Sequence, residues 1–312
     1  MTTALVLGAG GLTGQAFHLG VLSALHDALG FDGREADVLV GTSAGSMVAA
    51  GLACGLSAHD MAEELRTGRS ARPRRPRQGG AGGEVLAMPA QADPDPRRGP
   101  HSPGALLAAA RRPWAARPSA LAGVLLPAGR QSTGAIDRGV RRLQPSGWPD
   151  RDLRVCAVRS RDARRVVLDR ASGVDLGPAV AASCAVPAWF APVRVGGETY
   201  VDGGVHSPSN ADVVLPDRPD LVVVLSPMSV SRTSGRRRAD LPLRLGVRGL
   251  LALEVLRLRR AGSRVVVLQP DDGDLEVMGA NPMRGGRSAQ VVARAAESTR
   301  ARLRERPDLL GP

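Results

Sequence analysis

Blocks of apolar and polar residues divide the chain into elements. Thr3 to Leu7 (TALVL) is a short apolar run of the kind that forms a strand buried on both faces, and it ends in the cluster Gly8-Ala9-Gly10-Gly11. In the following QAFHLGVLSALHDAL, residues Phe17, Val21, Leu22, Leu25 and Leu29 recur at helical spacing. A second unit of the same form follows: Val38 to Val40, the turn Gly41-Thr42-Ser43-Ala44-Gly45, and a helix of small and apolar residues from Ser46. Strand, turn and helix repeated in this way predict an α/β protein with a mostly parallel central sheet.

From about Gly68 to Gly104 the periodicity collapses into a sequence rich in arginine, proline and glycine. Proline breaks both helix and sheet hydrogen bonding, and like-charged arginines repel, so residues 68–103 are expected to be a disordered or lid-like insertion. Residues 104–130 mix leucine, alanine, arginine and one tryptophan, which predicts short amphipathic cap helices broken by Pro113 and Pro118. Order resumes with β-like runs at Leu153 to Val158 and Arg165 to Leu168, then a helix over Pro178 to Cys184. An extended, proline-rich passage leads to Asp202, which ends a strand. Leu221 to Leu225 (LVVVL) and Val265 to Leu268 (VVVL) read as further buried strands, and SAQVVARAAESTRARLRER as an amphipathic C-terminal helix. The expectation is one domain, 1–312, carrying that insertion.

Charge changes this picture little. The chain carries +12, but eleven arginines against Glu84, Asp93 and Asp95 between Arg66 and Arg117 account for +8 of it, and there is no lysine. Aromatic residues make up only 2%, too few for base-stacking platforms, so nucleic acid is not an expected partner. No run approaches the ~20 apolar residues of a membrane span, and MTTALVLGAGG lacks the charged start of a signal peptide. A cytoplasmic protein, peripheral at the membrane if the arginine-rich insertion meets anionic headgroups, is the expectation. Cys54, Cys156 and Cys184 lie far apart in apolar surroundings without metal-ligand spacing, and read as small core residues in a reducing compartment.

The chemistry concentrates in the glycine turns. With glycine at 38 of 312 residues, G-x-S-x-G alone is a modest signal; its position between an apolar strand and a helix of small residues is what a nucleophile elbow requires of Ser43. The first glycine cluster has two readings. A dinucleotide site would need G-x-G-x-x-G, but the register here is G-x-G-x-x-x-G, and no acidic ribose ligand follows the second strand. The other reading is an oxyanion hole built from exposed amides. Among His18, His26, His59, His101 and His206, only His206 stands near interesting company, in Asp202-Gly203-Gly204-Val205-His206. Asp202 could itself accept the serine proton if buried and aligned, or could be an ordinary Asp-Gly turn.

Taken in order, Gly8 to Gly14, Gly41 to Gly45 and Asp202 to Gly204 resemble the motifs of the patatin-like phospholipase family, and Ala182 to Pro208 is similar to that family's approach to its aspartate. The resemblance covers roughly residues 1–65 and 150–230, with a weaker likeness to about 305. It implies a three-layer fold and a serine acyl hydrolase of lipid esters that needs neither metal nor nucleotide. Its site would have Ser43 as nucleophile, Asp202 as base, and Gly10, Gly11 and Leu12 as the oxyanion loop. Two positions depart from the pattern: Ala9 replaces a usual glycine, and Thr13 a usual lysine or arginine. A non-catalytic lipid-binding member of the same fold is the alternative.

Overall fold

The computed structural model describes residues 1–67, 117–231 and 239–311. The first two units form as the pattern predicts: β1 (Thr3–Leu7) into α1 (Gly11–Leu29), and β2 (Val38–Thr42) into α2 (Ala44–Ala53). After α3 (Ala58–Thr67), α4 (Pro118–Leu125) and α5 (Gly134–Leu143) come β3 (Asp152–Arg159), β4 (Arg164–Leu168) and α6 (Leu176–Ser183). A hairpin of β5 (Val193–Val195) and β6 (Glu198–Asp202) leads on to β7 (Leu221–Leu225), α7 (Leu241–Arg260), β8 (Arg264–Leu268), α8 (Asp272–Met278) and α9 (Ser288–Glu305).

The described strands form one sheet in the order β5-β6-β3-β2-β1-β7-β8, with β4 branching from β3. The run β3-β2-β1-β7-β8 is parallel throughout, whereas β4, β6 and β5 are antiparallel to their neighbours. Alternate side chains of the central strands enter two separate cores. Leu5, Leu7, Leu39, Val223 and Leu225 pack beneath α1, α2 and α9. Ala4, Val6, Val38, Val40, Val222 and Val224 pack against Leu251, Val255 and Leu258 of α7 and against Ala211 to Val214. Burial on both faces explains why TALVL and LVVVL show no polar alternation. The result is the expected three-layer arrangement, with helices on each face of a mostly parallel sheet.

Several details differ from the sequence reading. Pro118 opens α4, where a missing N–H costs nothing. The helix before the aspartate runs Leu176–Ser183, two residues earlier than its apolar pattern suggested. The proline-rich passage contains the β5–β6 hairpin. The insertion at 68–103 and the first part of the 104–130 segment lie outside the described residues.

Candidate functional site

The turn after β2 is shaped by sterics. Ser43 has φ 53° and ψ −124°, a left-handed backbone that a residue with a side chain adopts only under constraint, at a cost on the order of 1–3 kcal/mol. Its two glycines supply that constraint: a Cβ on Gly41 would run into the Cα of Ser46, and one on Gly45 into the carbonyl of Leu7. The Ser43 amide donates to Ser183 Oγ at 2.9 Å, and that hydroxyl donates onward to the Cys156 carbonyl at 2.6 Å. Ser46 Oγ closes the turn by donating to the Ser43 carbonyl at 2.6 Å.

Sheet register brings Asp202 to the same level. Thr42 pairs with Cys156 of β3, and the next β3 residue, Ala157, pairs with Asp202 of β6. Ser43 and Asp202 therefore stand at matching heights on either side of β3. The Asp202 amide donates to the Ala185 carbonyl just past α6, so the end of one helix fixes both turns. Ser43 is 2% exposed and Asp202 3%. The carboxylate's Oδ1 accepts from the Gly204 amide at 2.6 Å, while Oδ2 is buried with no aligned partner. Burial pushes the Asp202 pKa up to about 6; the neighbouring Ser43 hydroxyl and the Gly204 amide pull the other way without restoring the usual value.

The turn after β1 runs alongside, since Leu7 pairs with Gly41. Gly10 is extended and Gly11 has φ 58°, where an added Cβ would lie 2.7 Å from the Pro282 carbonyl. The amides of Gly8, Ala9, Thr13 and Gly14 donate to Leu225, Pro208, Pro282 and Gly10. Those of Gly10, Gly11 and Leu12 meet no acceptor among the described residues. These are the donors named from sequence, gathered at a helix N-terminus that has no acidic residue in its first turn. Ala9 does not have a positive φ, so its methyl group imposes no backbone strain; it sits beside Gly204, where a Cβ would be 3.2 Å away. Thr13 is buried, with its amide on the Pro282 carbonyl and its hydroxyl without a partner. No fixed charge stands at that position.

None of the described histidines bonds Ser43 or Asp202. His18 is buried inside α1, and its Nε2 bonds the Gly8 carbonyl at 2.7 Å, bracing the glycine turn; burial lowers its pKa to about 4. His206 also falls to about 4, through burial first and then the Arg117 and Arg165 charges. Its ring makes no hydrogen bond to Ser43 or Asp202 among the described residues, and its Nδ1 is unpartnered. Burial pushes the Cys156 thiol up to about 12 and raises that of Cys184 as well, so neither is a ready thiolate. A cluster of metal-capable side chains, His26, Asp27 and His59, is exposed about 22 Å along α1 from Gly11. Asp27 there already pairs with His59 and Arg300.

Three residues of the site's framework were not singled out from sequence: Ser183, Asn210 and Glu254. Asn210 Nδ2 donates to Thr42 Oγ1 at 3.1 Å and to the Gly203 carbonyl at 3.3 Å, tying the residue before Ser43 to the residue after Asp202. Glu254 of α7, fully buried, accepts from the hydroxyls of Ser207 and Ser209 at 2.6 Å each and from the Ala211 amide at 3.0 Å. Its signal in sequence was a lone acid in a helix of leucine and arginine. The others carried no local signal.

A search of curated proteins finds no match. Among solved structures, VipD from Legionella pneumophila is similar at 14% identity and a TM-score of 0.47, over 97% of this chain and 67% of that one. The type III effector protein ExoU is similar at 16% identity and a TM-score of 0.38, over 98% of this chain and 53% of that one, so this chain spans about half of ExoU's length. The sequence model of the patatin-like phospholipases matches residues 5–215, a span that holds both glycine turns, Ser43 and Asp202. With well over half of its length matched in this way, the chain belongs to the patatin-like phospholipase family.

Proposed function

We propose that this protein is a serine acyl hydrolase that cleaves carboxylic esters of lipids through a Ser43–Asp202 dyad. The observation that supports this most is the state of Asp202: buried, held by one oxygen on the Gly204 amide, and with its other oxygen unpartnered beside the Ser43 hydroxyl. A turn-forming aspartate would use both oxygens or expose one.

In the proposed reaction the Asp202 carboxylate takes the Ser43 proton as Oγ attacks the ester carbonyl. The amides of Gly10, Gly11 and Leu12 hold the oxyanion, aided by the start of α1. Collapse of the tetrahedral intermediate breaks the ester C–O bond, and Asp202 returns the proton to the departing alcohol, leaving an acyl group on Ser43. Water, deprotonated by the same carboxylate, attacks that acyl group; the second collapse releases the fatty acid and restores the Ser43 hydroxyl. With a pKa near 6, Asp202 is ionised at neutral pH and is a stronger base than an exposed aspartate.

The lipid substrate class follows from family membership. No described helix is long and apolar enough to cross a membrane. Turnover of short-chain nitrophenyl esters and of phospholipids by wild type, Asp202→Asn and His206→Ala tests the dyad. Loss in Asp202→Asn with retention in His206→Ala is expected; the reverse would replace the base. Folded wild type without turnover of any ester would favour a lipid-binding role instead.

A further inference from the structure

The outer face of α7 is out of keeping with the rest of the surface. Eight large apolar side chains are exposed among the described residues, and four of them, Leu243, Leu245, Leu253 and Leu256, lie on this helix. Its inner face buries Val247, Leu251, Glu254, Val255 and Leu258, of which Leu251, Val255 and Leu258 pack on the sheet, so both sides of the helix carry apolar side chains. Leu245, Gly249, Leu253 and Leu256 are spaced by four, four and three residues and form one stripe along the solvent side. At 100° per residue, Arg248 and Arg259 border that stripe on one side and Arg257 on the other, with Arg260 at its end. The helix's single acid, Glu254, points inward, and no described carboxylate pairs with these four arginines.

We propose that this face is a docking surface for anionic phospholipid bilayers, with α7 lying in the plane of the interface, leucines toward the acyl chains and arginines on the phosphates. An apolar stripe bordered by cations on both sides, with no anion, has the complementarity of such a surface. A second copy packed on the same face by a two-fold axis would set arginine borders against one another with no carboxylate between them. The helix is also tied to the site. Arg244 at its start donates to the Pro227 carbonyl at 2.7 Å, and Pro227 packs on Gly10 and Gly14; Glu254 at its middle holds Ser207, Ser209 and Ala211 behind Asp202. The start of α7 therefore lies beside the glycine turn that follows β1. The choice of lipid rests on the proposed function.

The test is flotation of the full chain with phosphatidylcholine vesicles made with and without phosphatidylglycerol. It compares wild type, a Leu245→Ser/Leu253→Ser/Leu256→Ser variant and an Arg248→Gln/Arg257→Gln variant. Wild type is expected to bind the phosphatidylglycerol vesicles, and each variant to bind about tenfold or more weakly, while both hydrolyse a water-soluble short-chain ester at the wild-type rate. Equal binding by the leucine variant would overturn the proposal. So would a wild-type dimer, seen by light scattering, that the leucine substitutions convert to monomer. If binding depends on α7 but wild type hydrolyses no ester, docking stands and the catalytic reading fails.

Discussion

The turns after β1 and β2 are neighbours on parallel strands, and each leads within four residues into a helix with no acidic residue in its first turn. They use that common frame in opposite ways. After β1, glycines leave the backbone itself free to act, and three amides meet no acceptor among the described residues. After β2, the amide is consumed by Ser183, and a side chain is forced into a left-handed backbone between two glycines that cannot be enlarged. One turn offers donors and the other a hydroxyl. The proposed base, Asp202, comes from a third place, the antiparallel edge of the sheet, through register alone. Changing any one of the three should therefore leave a distinctive mark.

Removing the proposed base has the largest expected effect. Asp202→Asn should lower kcat/KM for esters on the order of 10³-fold or more. The same change should stabilise the protein at pH 8, by about 1–3 kcal/mol in chemical denaturation, because it removes a buried charge. The native carboxyl keeps its proton to about pH 6, whereas the unfolded one releases it near 3.8. Wild-type stability thus falls as pH rises through that window, and the advantage of the variant should vanish by pH 4.

A smaller loss is expected at the proposed oxyanion turn. Gly11→Ala places a methyl group against Pro282 at positive φ and should cost about 10²-fold in activity and about 1 kcal/mol in stability. Its pH profile should keep the wild-type form: kcat/KM level above about pH 6 and falling about tenfold per unit below it, as Asp202 takes up its proton. An inflection near 4 instead would point to an unshifted carboxylate. At the bottom of the scale, Ala9→Gly should change activity less than about twofold, because Ala9 has an ordinary backbone and its methyl group fits beside Gly204.

What could be read from sequence divides along the same lines. Glycine requirements are local, so Gly10, Gly11, Gly41 and Gly45 marked their turns before any contact was known. The central strands were legible because burial on both faces leaves unbroken apolar runs. Ser183 and Asn210 were not, because their partners Ser43 and Thr42 lie 140 and 168 residues away. The helix α7 was missed because leucines on both faces, interleaved with arginine, erase the contrast that marks an amphipathic helix. The strand ending at Asp202 was legible, but its hairpin partner β5 hid in the proline-rich passage because it is three residues long and only partly buried.

The central claim, that Ser43 is an activated nucleophile, is tested most directly by covalent labelling with a fluorophosphonate, read by mass spectrometry of the intact chain and its peptides. One adduct, mapped to Ser43 and absent from folded Ser43→Ala, is the expected result. Adduct formation at another residue, or none on folded wild type, would contradict it.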